Sequence, residues 1–582
     1  MPQRWSVQHH DSELIQSIER TCKVSPVVAQ ILAVRGITHP AEVNSFLDLK
    51  MTGLLGPFEL PGVQAAVEHI SEAIKSGKKI VVYGDYDCDG MTSTAILYRC
   101  LQMLGGNVSY FVPSRLDDGY GVSTESLTKL KERGAEVVVT VDCGINSVAE
   151  ANFAKSIGIS MIITDHHVPD QDRPDVAAIV HPALPEANYP FKELCGAGVA
   201  FKLAWALCQH QHGSEKLPEE MRKFLFAAIA LAAIGTVADV VPLLGENRII
   251  VNHGLNLLRG FANPGLQHLM QLAALNDKPK LEAEDIGFKI GPRLNAAGRL
   301  GQAQLGVELL TVQDDQRAKA LAEYIDQLNK SRDSLDRSIF RSANKLVKDD
   351  FDVSIEPGLV LAKPDWHLGV IGIVAGRIAE RYHRPTIMIS IDKLGQKPAT
   401  GSARSACGVD LLQAISNCSE HLIKFGGHRA AAGLTISPDK IDEFREAFCH
   451  QIRLQTAKEG LISELDIDAE AQLSQLTIRT LNELEKLAPF GQGNPRPVMC
   501  ASNVQLARQP KTMGKEDRHL DLQLVQQDVR IRAVGFGKGE WVQELADEGK
   551  KFDFAFNPVI NEFNGRRKVE LHLIDFRPSD QS

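Results

Sequence analysis

The stretch Lys79-Ile-Val-Val-Tyr-Gly-Asp85-Tyr-Asp87-Cys-Asp89-Gly90-Met-Thr-Ser-Thr94 decides how the rest of the chain is read. An apolar, β-branched run ends in three carboxylates at alternate positions and a glycine. A segment with apolar residues at helical spacing follows: Ala95, Ile96, Tyr98, Leu101 and Leu104. The order is strand, loop, helix. Carboxylates this dense repel one another and call for a cation. Asp-x-Asp-x-Asp-Gly also opens an EF-hand calcium loop, but Ile96 stands at the twelfth position, where a bidentate Glu belongs, and a strand rather than a helix precedes the loop. A divalent-metal site and a solvated acidic loop remain as readings.

The same pattern recurs downstream. An apolar strand at 108–112 leads to a loop containing Arg115, then a helix. Strand-like Val137–Val141 ends at Asp142, and strand-like Ser160–Thr164 ends at Asp165-His166-His167. Alternating strands and helices imply a parallel sheet with right-handed crossovers, whose strand ends share one edge. Three acidic or His-bearing loops then converge, which favours metal over chance. The nearly all-apolar segment 221–234 reads as a core helix that closes at Asp239. A carboxylate there is desolvated and faces the negative end of the helix dipole, so it is protonated, strongly paired or on a metal.

Residues 289–301 read as a Gly/Pro/Asn loop carrying Arg293, Asn295 and Arg299, whose guanidinium forks suit phosphate or simply decorate a turn. A helical pattern without Gly or Pro over 307–349 reads as a connector, and 350–450 as a second α/β domain. There, Gly401-Ser402-Ala-Arg404-Ser405 suits an anion site, and Gly426-Gly427-His428 either caps a helix or lets a backbone approach a ligand. The tail reads as five short strands of a small barrel such as an OB-fold. Phe552, Phe554 and Phe556 lie on one face as barrel core, and Arg566-Arg567-Lys568 follow an Asn564-Gly565 hairpin turn.

Composition bounds the rest. A chain of 582 residues, 44% hydrophobic and 24% charged, is globular and long enough for several domains. A net charge of -9 argues against indiscriminate coating of nucleic acid but allows a local basic groove. Ten cysteines without a Cys-x-x-Cys pair read as reduced thiols. No apolar signal core opens the chain, and the apolar run at 224–238 is short for a bilayer, so a cytoplasmic protein without a membrane partner is expected.

Taken in order, Gly84-Asp85-Tyr-Asp87-Cys-Asp89-Gly90, Asp142, Asp165-His166-His167 and Ala238-Asp239 resemble the four motifs of the DHH phosphoesterase superfamily. Gly426-Gly427-His428-Arg-Ala-Ala-Ala-Gly433 resembles the signature of the associated DHHA1 domain. With Pro489-Phe-Gly-Gln-Gly-Asn-Pro-Arg-Pro497 and the barrel-like tail, the likeness narrows to the bacterial single-strand-specific 5′→3′ exonucleases of that superfamily.

The resemblance implies an α/β architecture. It consists of an accessory helical segment at 1–50, a DHH parallel-sheet domain at 51–304, a long helical connector at 305–349, a DHHA1 α/β domain at 350–460 and an OB-like β-barrel at 461–582. It implies metal ligands at Asp85, Asp87, Asp142, His166 and Asp239, with Asp142 between two ions, Mn²⁺ or Mg²⁺. His167 and His428 take supporting catalytic places, and Arg115, Arg293, Asn295, Ser402 and Arg404 bind substrate. Where some members carry a His four residues before the first Asp, this chain has Val81; Asp89 is an extra carboxylate without an assigned role. Single-stranded DNA is the implied substrate, in repair and recombination, with single-strand-binding protein and a RecQ-type helicase as partners. A phosphoesterase for short oligonucleotides, cyclic dinucleotides or pyrophosphate is the alternative within the superfamily; the barrel and connector speak against it. A non-catalytic strand-binding scaffold is the reading from another class.

Overall fold

In the computed structural model, Lys79–Tyr83 forms the second strand of a five-stranded, all-parallel sheet. The order is Asn107–Phe111, Lys79–Tyr83, Val137–Val141, Ser160–Thr164, Ala178–Val180. Alternation along these strands splits the core between two faces. Ile80, Val82, Val137 and Val139 pack into one apolar cluster, while Val81, Tyr83, Val138 and Ile163 pack into another. In this strand order the first strand is followed outward by the second on one side and the third on the other. The crevice beyond the carboxyl ends of Lys79–Tyr83 and Val137–Val141 is therefore the topological switch point, where open α/β sheets place ligands. The structure describes residues 4–8, 11–114, 121–260, 263–393, 396–457, 464–546, 550–563 and 565–579.

The chain divides into two compact units, one comprising 8–328 and 467–582, the other 1–7 and 329–466. In the larger unit, helices Cys88–Met103, Gly196–His212 and Glu219–Ala238 pack on one sheet face. Glu219–Ala238 is long and apolar enough to match a membrane span by composition. Its residues Ala228–Thr236 are nonetheless buried in the protein core, as the sequence reading expects.

The expected loop at 289–301 is corrected by the structure. Ile286–Ile290 is a π-turn and Gly291–Arg299 an α-helix. Pro292 sits in the first turn, where a helix tolerates it. Gly298 serves close packing rather than turning, because a Cβ there would lie 1.9 Å from the Tyr86 carbonyl oxygen.

The N-terminal helices Ser12–Cys22, Pro26–Val34 and Pro40–Leu47 are not packed alone. Val27, Val28, Ile31 and Leu32 share a core with Leu473, Leu484, Leu487, Phe554 and Phe556 of the C-terminal region. That region is a seven-stranded sheet in which Met499–Leu506 pairs with both Phe552–Phe563 and His519–Gln526, joining the sheet back on itself. Phe552, Phe554 and Phe556 are buried there as barrel core. Asn564, half of the expected hairpin turn, lies outside the described residues.

One buried cation ties these parts together. Arg248, 1% exposed, donates to the carbonyls of Phe46, Lys486, Leu487 and Ala488 and covers the Phe46 ring at 3.6 Å. Nearby, Asn494 donates to the Leu487 and Pro489 carbonyls and accepts from Arg35. Burial lowers the Arg248 guanidinium to about 9, aided by the like charge of Arg35.

In the smaller unit, the later part of the 36-residue helix Asp315–Asp350 accompanies a five-stranded sheet. Its order is Leu422–Gly427, Ala431–Ile436, Ala399–Arg404, Thr386–Ile391, Leu359–Pro364. Gly426-Gly427-His428 does not cap a helix: the glycines end a strand, and the His428 N–H closes the hairpin onto the Ala431 carbonyl at 2.8 Å.

Replacing Arg248 with Met strands four inward-facing carbonyls. The expected loss is about 3 kcal/mol of larger-unit stability, read as a lower urea midpoint. Arg248→Lys does not restore it, because an ammonium lacks the planar fork. An unchanged midpoint in Arg248→Met would remove this residue from its assigned place.

Candidate metal centre

Each acidic loop is held by local hydrogen bonds. Asp87 is the N-cap of Cys88–Met103, its Oδ1 accepting from Gly90 N at 2.9 Å. Asn295 fastens the same loop by accepting from Cys88 N at 2.7 Å. Asp142 has φ 61° and Val240, directly after Asp239, has φ 63°. A left-handed β-branched residue costs on the order of 1–3 kcal/mol, so the backbone is strained at Val240, next to a carboxylate position, whereas Asp tolerates this region.

The side chains converge. Asp85, Asp87 and Asp142 offer oxygens within 4.8 Å of one another. Asp142, His166 and His167 form a second such group, and Asp89, His166 and Asp239 a third. His166 Nε2 stands 3.1 Å from Asp142 Oδ1 and 3.5 Å from Asp239 Oδ2. Two donor atoms, Asp85 Oδ1 and His166 Nε2, are buried with no hydrogen-bond partner. Burial raises Asp85 to about 8, helped by the charge of Asp87, and raises Asp239 to about 9, helped by Asp89. Asp142 is pushed well above the carboxylate range, by burial first and then by Asp89 and Asp87. Burial lowers His166, which favours its neutral, lone-pair-bearing form. Buried oxygens crowded around a neutral imidazole fit a hard divalent cation.

Two residues that the sequence left unassigned have clear places. Asp89 accepts from Gly196 N at 2.6 Å and Ala197 N at 2.9 Å, so it binds the positive N-terminus of Gly196–His212. Only glycine fits at 196, since a Cβ would stand 2.6 Å from that of Asp142. Asp165 organises the His pair: Oδ1 accepts from His166 N at 2.7 Å and His167 Nδ1 at 2.7 Å, and Oδ2 from Ile145 N at 2.9 Å. Although burial opposes it, this bonding holds Asp165 down to about 2 and raises His167 to about 9, leaving an imidazolium beside the cluster. His181, which nothing in its local sequence singles out, is buried and bonds the His167 carbonyl through Nε2 at 2.8 Å.

Among the other expected residues, Asn295 stands at the acidic loop itself. Arg293 donates to Asp326 at 2.9 Å and to the Lys289 carbonyl at 2.7 Å, and Asn295 holds Cys88; the structure gives both protein partners. Arg115 lies outside the described residues. In the smaller unit, Ser402 and Arg404 lie together, Arg404 Nη1 reaching Ser402 Oγ at 3.3 Å. They face the first turns of helix Leu368–Tyr382, where Gly372 lets the helix approach both side chains. His428 is exposed at its hairpin tip.

The fold and this Asp/His arrangement define a DHH-type domain, and residues 79–232 match the DHH family N-terminal domain. Residues 356–454 match the DHHA1 domain and 467–575 the RecJ OB domain. The single-stranded-DNA-specific exonuclease RecJ of Bacillus subtilis is 37% identical over 578 residues, 99% of this chain and 71% of that protein. The Escherichia coli protein of the same name is 34% identical over 592 residues, 98% of this chain and 99% of its own length. The crystal structure of RecJ with Mn²⁺ from Thermus thermophilus superposes with a TM-score of 0.83 at 30% identity, covering 99% of this chain and 80% of that one. The chain belongs to the RecJ family of single-stranded-DNA-specific exonucleases.

A divalent ion entering the cluster displaces protons, because Asp85 and Asp239 hold theirs up to about 8 and about 9. Raising pH through this range removes these competing protons, so affinity rises with pH. Calorimetry of Mn²⁺ binding near neutral pH in two buffers of different ionisation enthalpy reads the proton release directly. A binding heat independent of buffer contradicts the assignment.

Proposed function

We propose that the protein is a metal-dependent exonuclease that hydrolyses single-stranded DNA from 5′ to 3′ into mononucleotides. Asp85, Asp87, Asp142, His166 and Asp239 hold two Mn²⁺ or Mg²⁺ ions, with Asp142 serving both. One observation carries this: Asp142 belongs to two donor groups at once, beside Asp85 Oδ1, a buried oxygen with no hydrogen-bond partner. Bound there, a pair of such ions supplies hydroxide from water and charge for the attacking and leaving oxygens of an in-line displacement.

The chain's own groups do the rest. His167, kept cationic by Asp165, offers positive charge to a phosphate oxygen. Asp165 and His181 fix the ring and backbone of that loop, so the imidazolium is oriented before substrate arrives. Ser402 and Arg404, beside the first turns of Leu368–Tyr382, suit a terminal phosphate, where the helix end and the guanidinium both favour negative charge. Family likeness alone assigns His428 a phosphate contact and adds the setting: repair and recombination in the cytoplasm, beside single-strand-binding protein and a RecQ-type helicase.

The test is a 5′-labelled oligonucleotide with Mn²⁺. The wild-type protein releases labelled mononucleotide first, and chelation stops it. Asp142→Asn lowers the rate by at least about a hundredfold, more than loss of an outer-shell group does, while the melting curve stays cooperative. Undiminished turnover in that variant, or release of label only after the rest of the strand is consumed, refutes the proposal.

A further inference from the structure

Phe288 has 80% of its surface exposed, more than any other large apolar side chain described. The π-turn Ile286–Ile290 forces it outward. Ile286 and Ile290, four apart, are fully buried, so the residue midway between them faces away from the core. π-turns recur at functional sites. This one sits on the end of the helix that delivers Asp239, with Val237 Cγ1 3.6 Å from where a side chain on Gly287 would begin. It continues directly into Gly291–Arg299, whose Asn295 holds the acidic loop. Two further apolar residues are exposed at the cluster's edge: Val240, 63% exposed beside Asp239, and Val168, 73% exposed beside His167.

We propose that Phe288 is the platform on which a base of the DNA strand stacks when the strand's phosphodiester lies at the Asp/His cluster. This rests on the exonuclease reading above. The phosphate is the share of the cations and His167, and an exposed apolar ring offers it nothing, so what Phe288 can grip on the nucleotide is its uncharged part. A base offers a π-face whatever its identity, which suits an enzyme that degrades strands of any sequence. One exposed ring is too small for a protein interface, which takes roughly 800 Å² from each partner.

The test pairs a protein variant with a substrate change. Oligonucleotides carrying a single abasic residue, placed in turn at each of the nucleotides next to the 5′ end, are compared with the intact strand. For the wild-type protein, one abasic position raises KM about tenfold, the scale of one stacked base. Phe288→Ala raises KM about tenfold on the intact strand but adds nothing on the strand abasic at that position; Phe288→Trp keeps the wild-type pattern. Equal losses on intact and abasic strands at every position overturn the proposal, as does no loss at all. A fall in melting temperature with equal losses makes Phe288 a packing or partner-contact residue. If the wild-type protein does not degrade the intact strand, the exonuclease reading fails by itself. The same four combinations, read as binding by fluorescence anisotropy, then decide the stacking question.

Discussion

Mutual repulsion among Asp85, Asp87, Asp89, Asp142 and Asp239 is the constraint around which the larger unit is arranged. Charges removed from water and placed side by side destabilise a fold unless fixed dipoles or counter-ions answer them. Here the answer is partly built into the protein. The first amides of Gly196–His212 take Asp89, and the first amides of Cys88–Met103 take Asp87. Asp165 is satisfied by backbone N–H groups and His167. Asp85 keeps a buried oxygen without a hydrogen-bond partner, and the backbone is strained at Val240. The unanswered remainder of the negative charge lies at the strand-order switch, where the sheet leaves a crevice.

The two units divide the tasks by chemistry. The larger gathers oxygens suited to hard cations, and the smaller presents Ser402, Arg404 and a helix N-terminus, groups suited to an anion. His167 lets the larger unit offer positive charge as well, since its ion pair with Asp165 holds the proton on the ring above neutral pH.

Much of this was legible in the sequence because it depends on periodicity. Buried parallel strands read as apolar runs, so Lys79–Tyr83, Val137–Val141 and Ser160–Thr164 announced themselves, and the carboxylates after them fell on one edge. What depends on contacts between distant segments was not legible. Nothing near Asp89 says that amides more than a hundred residues away hold it. Gly298 looked like a turn residue because glycine required for close packing and glycine required for positive φ are the same letter. Arg293 looked like a phosphate fork, but Asp326 takes its Nε. His181 carried no local signal, since its role is to reach a carbonyl in a neighbouring loop.

The shared core of the N-terminal helices and the C-terminal sheet has a consequence for biosynthesis. Val27, Val28, Ile31 and Leu32 are made about 440 residues before the first of the side chains that cover them, which run from Leu473 to Leu573. At translation rates of roughly 5–20 residues per second, that apolar face waits tens of seconds for its cover. The sheet bearing the acidic cluster, by contrast, is complete in local sequence long before the chain ends. The nascent protein thus has its acidic sheet assembled while the helices Ser12–Cys22, Pro26–Val34 and Pro40–Leu47 still need shielding, and aggregation during synthesis is a hazard of those helices rather than of the acidic cluster.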